Sequence, residues 1–144
     1  MKRIILVTTV ILFTITIGCK KDDDDIAASK KEILINGSWK INAAVSDEDG
    51  DGTYETNNYL DFDACSTDDY YIFHNDGKLE INEGPSKCDL SDPQTISLNW
   101  QLANNETILI VDSEAHTIET LNNTTLKIKY SIMGMNSLTT FTKR

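Results

Sequence analysis

The residues best equipped for chemistry run from Asp47 to Glu55, in the order Asp47-Glu48-Asp49-Gly50-Asp51-Gly52-Thr53-Tyr54-Glu55. Asp47, Asp49 and Asp51 recur at every second position and Gly52 follows in sixth place, the spacing with which calcium-binding loops open. Calcium takes about six to eight oxygens at about 2.4 Å, and carboxylates alternating along a tight loop can converge on one point. Gly52 permits the sharp turn, and the Thr53 carbonyl and the Glu55 carboxylate would fill the seventh and ninth positions. The twelfth position, where a bidentate glutamate usually closes the shell, is Asn58, so a closing oxygen would come from Asp61 or Asp63. Without an ion, the same residues make an ordinary Gly-Asp-rich strand connection. Outside a cell, even a site with a dissociation constant on the order of 0.1 to 1 mM would fill.

Catalytic chemistry is poorly provided for. His74 and His116 stand in no metal or nucleophile motif. His74 ends a strand before a turn and His116 opens one, so an exposed or hydrogen-bonded ring is expected at each. No glycine loop is built to cradle phosphate. Carboxylates are so numerous that some pair falls at glycosidase spacing by chance. No catalytic residue is therefore assigned, and the expectation is a protein that is not an enzyme. The formal charge of −10 argues against nucleic acid, whose binding rests on neutralising phosphates, and against adhesion to an anionic membrane surface.

The amino end carries a different chemistry. Lys2 and Arg3 precede an apolar run, Ile4 to Ile17, broken only by threonines, and Thr16-Ile17-Gly18-Cys19 ends it. The run is shorter than the roughly 20 residues a membrane helix needs, and it has the layout of a secretory signal. A cysteine directly after the small Gly18 resembles the lipobox of bacterial lipoproteins, with Thr16 where leucine is usual. The resemblance implies that residues 1–18 are a signal peptide, that the Cys19 thiol takes a lipid through a thioether, and that the new terminus is acylated by a chain such as palmitate. Several chains, at roughly 0.8 kcal/mol per buried methylene, hold where one would be marginal. The membrane is then a partner through the anchor alone. Losing Lys2 and Arg3 takes the formal charge from −10 to −12.

Residues 19–32 read as the lipidated cysteine and a polar, acidic tether without apolar period, expected to be disordered. Lys20 and Lys21 followed by Asp22 to Asp25 look like the surface-export signal of lipoproteins from Bacteroidetes-type bacteria, which implies an outer-membrane, cell-surface address. The periplasmic face of that membrane is the alternative. With Cys19 lipidated, Cys65 and Cys88 remain, and an exported domain most simply pairs them. Two free thiols or a metal pair are the alternatives. The closed loop would constrain the unfolded chain by roughly 3 to 4 kcal/mol.

These groups must be positioned by strands. Trp39, Ile41, Ala43 and Val45 alternate with polar or small residues, as do Leu79 and Ile81, then Ile96, Leu98, Trp100 and Leu102. Asn75-Asp76-Gly77 joins Tyr70-Tyr71-Ile72-Phe73 to the next run and is a hairpin signal, because those residues accept positive φ. Asn104-Asn105, Asn122-Asn123 and Gly134 punctuate Thr107 to Val111, Ile118 to Leu121, Leu126 to Ile132 and Leu138 to Thr142. One short turn of helix is allowed near Ser29 to Leu34; no other helical period follows Cys19. About eight antiparallel strands with short links hide their edges best by closing into a barrel, with Trp39, Phe73, Leu98, Trp100, Ile128 and Tyr130 facing inward.

Gly37-Ser38-Trp39 on the first strand looks like the G-x-W signature of lipocalins. Cys65 before Asp68 and Asp69, the aromatic strand ending in Asn75-Asp76-Gly77, Glu83-Gly84 before Cys88, and Trp100 extend the likeness. Together they resemble the lipocalin-like domain of Bacteroidetes lipoproteins. The resemblance implies an up-and-down barrel over residues 33–144 and names no ligand. The reading is a monomeric, non-catalytic module for a small apolar ligand, with unassigned ligand-binding residues and no cofactor beyond a calcium ion. The alternative is a structural or interaction lipoprotein with a filled barrel. A cavity of several hundred Å³ with an open mouth would favour the first. Plugging by Trp39, Trp100 and Phe73 would favour the second.

Overall fold

Residues 28–132 and 134–144 are described by a computed structural model. The signal peptide, Cys19 and most of the acidic tether lie outside them. A short helix α1 (Lys30–Ile35) leads into β1 (Ser38–Asp47), a two-residue strand β2 (Thr56–Asn57), two single 3-10 turns, and then β3 (Tyr70–Phe73), β4 (Lys78–Asn82), β5 (Thr95–Ala103), β6 (Ile108–Val111), β7 (Glu114–Leu121), β8 (Thr125–Ile132) and β9 (Met135–Lys143). From β3 onward each strand pairs antiparallel with the next, and β1 joins both ends of that meander. It meets β3 through Ser38↔Ile72 and Trp39↔Tyr71, and β9 from Trp39↔Lys143 to Asp47↔Asn136. Eight strands thus close on themselves, and β2 flanks the far end of β1. This is the up-and-down barrel expected from the alternation.

The connections define two ends. The 74–77, 104–107 and 122–124 turns, α1 and the carboxyl terminus lie at one. The long 48–69 connection, the 83–94 connection and the tight 112–113 turn lie at the other, here called the mouth.

The first end is closed by its own chemistry. Ser29 and Glu32 form a reciprocal capping box: Ser29 Oγ accepts from the Glu32 N–H at 3.2 Å, and Glu32 Oε2 accepts from the Ser29 N–H at 2.8 Å. Lys30 and Lys31, read above as the end of the tether, are instead the first residues of the helix this box starts. Lys30 Nζ donates to the Glu106 carbonyl at 2.8 Å and ties the helix across the barrel end. That seats Leu34 in the core, 0% exposed, and its carbonyl accepts from Trp39 Nε1 at 2.9 Å. Trp100 Nε1 likewise donates to the His74 carbonyl at 3.0 Å, and its ring meets Phe73 edge-on at 5.1 Å. The Lys143 ammonium lies 5.0 Å from the centre of the Trp39 ring. Both buried indoles thus find an acceptor, which lets them fill the closed end without an unsatisfied N–H.

One departure from simple alternation has consequences at the mouth. The register of β1 against β9 shifts between Ile41 and Ala43. Such a bulge places one extra residue on the strand and turns everything beyond it to the other face. Ala44 and Ser46 are therefore buried, not Ala43 and Val45, and Asp47 ends the strand 1% exposed. β7 carries a similar shift between Ile118 and Thr120.

Cys65 and Cys88 form a disulfide with Cα atoms 5.2 Å apart, joining the 48–69 and 83–94 connections at the mouth. Gly84 makes the same junction: a Cβ on it would lie 2.6 Å from the Asp68 carbonyl oxygen, so only glycine fits. The sequence separation of 23 gives a loop whose closure contributes roughly 3 kcal/mol in the chain-entropy account.

Trp39→Ala removes a fully buried ring that also anchors α1. It is expected to cost about 3–5 kcal/mol in urea unfolding followed by far-UV circular dichroism. A loss below about 1 kcal/mol would contradict the assignment of Trp39 as the plug.

Candidate functional site

Between the plug and the mouth, the inner faces leave a cavity of about 140 Å³. Phe73, Leu79, Leu109, Leu126 and Phe141 are its buried side toward the plug. Tyr71, Ile81, Leu98, Val111, Ile128 and His116 continue it toward the mouth. The tryptophans fill one end while the other stays hollow, so the barrel is neither empty nor solid. The space is smaller than the several hundred Å³ set as the mark of an open ligand site. Two larger hollows, of about 380 and 430 Å³, lie outside the barrel around Gly77 and Gln101. They are bordered by exposed polar side chains such as Asp76 and Gln101. The interior cavity has the apolar lining that small-molecule sites favour.

His116 is the polar exception in that lining. It is the third residue of β7 and lies opposite Leu109, so it shares the inner face with its cross-strand partner. It is therefore neither the opening residue of a strand nor an exposed ring, as expected above, because β7 begins four residues earlier than the Ile118 run implied. Its ring stands edge-on to Tyr130 at 5.4 Å, and its Nδ1 is buried without a protein hydrogen-bond partner. Burial lowers its pKa below 6.5, against an opposing pull from the Glu114 carboxylate. A further hollow of about 250 Å³, lined by Glu114, Ala115, His116, Tyr130 and Ser131, has this residue in common with the cavity.

The neighbouring groups at the mouth are acidic. Burial, then the charge of Asp69 and the neighbouring Tyr130, push the Tyr71 phenol up to about 12, so it stays neutral. Burial and the charges of Glu83 and Asp68 raise the Asp69 carboxyl. Asp68 Oδ2 accepts from the Ser86 N–H at 3.1 Å, but Asp68 Oδ1 and Glu83 Oε2 are buried with no protein partner. In the sequence, Asp68, Asp69 and Glu83 stand out only through the family likeness they help to carry. Their clustering follows from the disulfide and Gly84, which fold two distant connections together.

The Asp47 to Glu55 loop is only partly what its spacing implied. Asp47, Asp51 and Glu55 each bring an oxygen within 4.8 Å of the others. Asp49 is not in that group; it accepts from the Asp51 N–H at 3.1 Å and closes a local turn. Asp51 accepts from the Thr53 N–H at 2.7 Å. Asn58, at the twelfth position, is spent on Ser46, its Nδ2 donating to Oγ at 3.1 Å. Asp47 Oδ1 accepts from the Gly50 N–H at 2.7 Å, and Oδ2 from the Gly52 N–H at 3.1 Å and Asn136 Nδ2 at 3.3 Å. Burial pushes the Asp47 carboxyl up, but the hydrogen bonds from Asn136, Gly50, Gly52 and Asp51 together outweigh it and hold it below its ordinary value. The loop is thus held by its own amides. Asp47, Asp51 and Glu55 are the residues that could hold a divalent cation.

The model of the lipocalin-like domain family matches residues 35–128. No curated protein matches the chain. Among solved structures, a lipocalin-like protein from Bacteroides uniformis is similar at 17% identity and a TM-score of 0.43, over 76% of this chain and 98% of that one.

Burial of the His116 ring makes the stability of the fold depend on pH. The unfolded chain, with a pKa near 6.5, binds the proton before the folded one does. Stability therefore falls as pH drops through about 6.5 toward the lower folded value, and levels off below it. Replacing the ring removes this penalty without touching the titration of Asp69. The melting temperature of the wild type, relative to His116→Phe, is expected to decline from about pH 8 to about pH 5. Parallel pH profiles for the two would show that His116 is not buried as described.

Proposed function

Because the chain belongs to the family of lipocalin-like domains, we propose that it is a lipid-anchored envelope lipoprotein whose barrel binds one small apolar ligand and performs no catalysis. The observation that carries this reading is the apolar cavity of about 140 Å³ above the tryptophan plug. A hydrocarbon-lined cavity of roughly 150 Å³ stays dry and takes up a molecule the size of benzene. The ligand is accordingly of single-ring size, below the drug-sized molecules that fill cavities of roughly 300 Å³ and more. The plug of Trp39, Trp100 and Phe73 favours the second reading, a filled barrel acting as an interaction lipoprotein. The barrel acts as a monomer and takes no nucleic acid, in keeping with its acidic charge.

Binding of a single-ring probe at about 100 times its dissociation constant stabilises the folded state by roughly 2.7 kcal/mol, a rise of several degrees in melting temperature. Leu98→Trp fills the cavity and is expected to abolish that rise. If no single-ring compound stabilises the wild type, the filled-barrel reading takes its place. A calcium ion at Asp47, Asp51 and Glu55 would brace the mouth independently. In the same melts, millimolar calcium would raise the melting temperature and Glu55→Gln would remove the effect.

The address rests on Cys19 and the acidic run after it. The wild type is expected in the outer-membrane fraction and open to protease on intact cells. Cys19→Ser is expected in the soluble fraction. A Cys19→Ser protein that stays with the membrane would remove the anchor from the proposal.

A further inference from the structure

The barrel wall is not paired all the way to its rim. Strands β7 and β8 run together from Leu121↔Leu126 to Thr117↔Lys129, and there their pairing stops. Glu114, Ala115 and His116 still pair with β6, and Tyr130, Ser131 and Ile132 with β9. Among the described residues, these two triplets do not pair with each other. The β7 bulge between Ile118 and Thr120 lies beside this point, and a bulge bends its strand and adds twist. The two strands therefore part toward the mouth and leave a seam in the side of the barrel. The hollow of about 250 Å³ lies on that seam, lined by Glu114, Ala115, His116, Tyr130 and Ser131.

Of the hollows described above, only this one shares a residue with the interior cavity, and that residue is His116. Its ring, edge-on to Tyr130 at 5.4 Å, therefore stands between the two spaces. Where no strand pairing crosses the seam, this ring pair spans it. The ring is also poorly held where it stands. His116 Nδ1 is buried without a protein partner. An unpaired buried nitrogen destabilises the inward position, and water would supply the missing partner on the outside. Glu114, Ala115 and Ser131, on the outer side, are exposed and leave the ring room. Turning one side chain between rotamers needs no movement of the strand that carries it. The mouth is braced differently. Its two long connections are joined by Cys65–Cys88 and by the close approach at Gly84, and neither contributes a residue to the cavity lining.

We propose that the His116–Tyr130 ring pair is a side gate. A single-ring apolar ligand passes from the outer hollow, through the seam between β7 and β8, into the cavity when the His116 ring turns outward. The inference rests on the ligand-binding reading above and adds the route by which the ligand enters and leaves.

Fluorobenzene exchanging with the full chain, followed by fluorine NMR, reads rate and affinity separately. His116→Ala removes the gate ring. It is expected to speed association and dissociation together, each by at least about tenfold, because a lowered barrier acts on both directions alike. The dissociation constant should stay within about threefold of the wild type. His116→Phe fills the same place with a ring that leaves no nitrogen unpaired, and should slow both rates by about threefold or more. It also keeps the test available if the alanine variant does not fold. Freeing the mouth with Cys65→Ser and Cys88→Ser should leave both rates within about twofold. If freeing the mouth speeds exchange while the His116 variants match the wild type, the ligand enters by the mouth; the gate is overturned and the cavity stands. If His116→Ala changes the dissociation constant and leaves association as it was, His116 is fixed wall and the gate is again overturned. If fluorobenzene neither binds the wild type nor raises its melting temperature, the cavity reading falls and takes the gate with it.

Discussion

The pairing of β1 with β9 is the constraint from which the rest follows. A two-faced sheet with free edges exposes unpaired amides along both sides, and only closure removes them. Here one strand of ten residues meets both the first and the last strand of the meander. Closure gives the molecule an inside, and the inside must then be filled or left hollow. Leu34, Trp39 and Trp100 fill one end because each indole N–H finds a backbone carbonyl there. Both tryptophans of the chain lie at that end, so the interior divides into a packed half and an apolar hollow.

Much of this was legible in the chain because β-strand alternation is a local code. Trp39, Phe73, Trp100 and Ile128 are buried as their spacing implied, and the Asn75-Asp76-Gly77 link forms its hairpin. The helix could be read from Ser29 and Glu32, whose three-residue offset is a capping box. Where reading failed, the cause was a non-local shift. Ala43 and Val45 carry the right period for the core, but a bulge opposite β9 inverts them. A single strand cannot show how its partner will count.

The site was less legible than the frame. Asp47 to Glu55 stands out by composition, yet amides of the same loop occupy its most buried carboxylate. His116 looked unremarkable, although its place two residues before Ile118 in an alternating strand puts it on the inner face. Asp68, Asp69 and Glu83 become a group only after Cys65 meets Cys88. Functional character here arises where separate connections converge, which is the information a linear pattern carries least.

The surplus residue in β1 also bears on how such a barrel could diversify. Beyond the bulge, the side chains delivered to the interior are Ala44 and Ser46, small enough to leave the rim unblocked, and Val45 is carried outward. Removing one residue near Asn42 would reverse that choice and swing a branched hydrocarbon into the opening, with Asp47 turned to the same face as Val45. Indels in this strand would therefore act as coarse adjustments of what may enter, leaving substitutions deeper in the wall to make the fine ones.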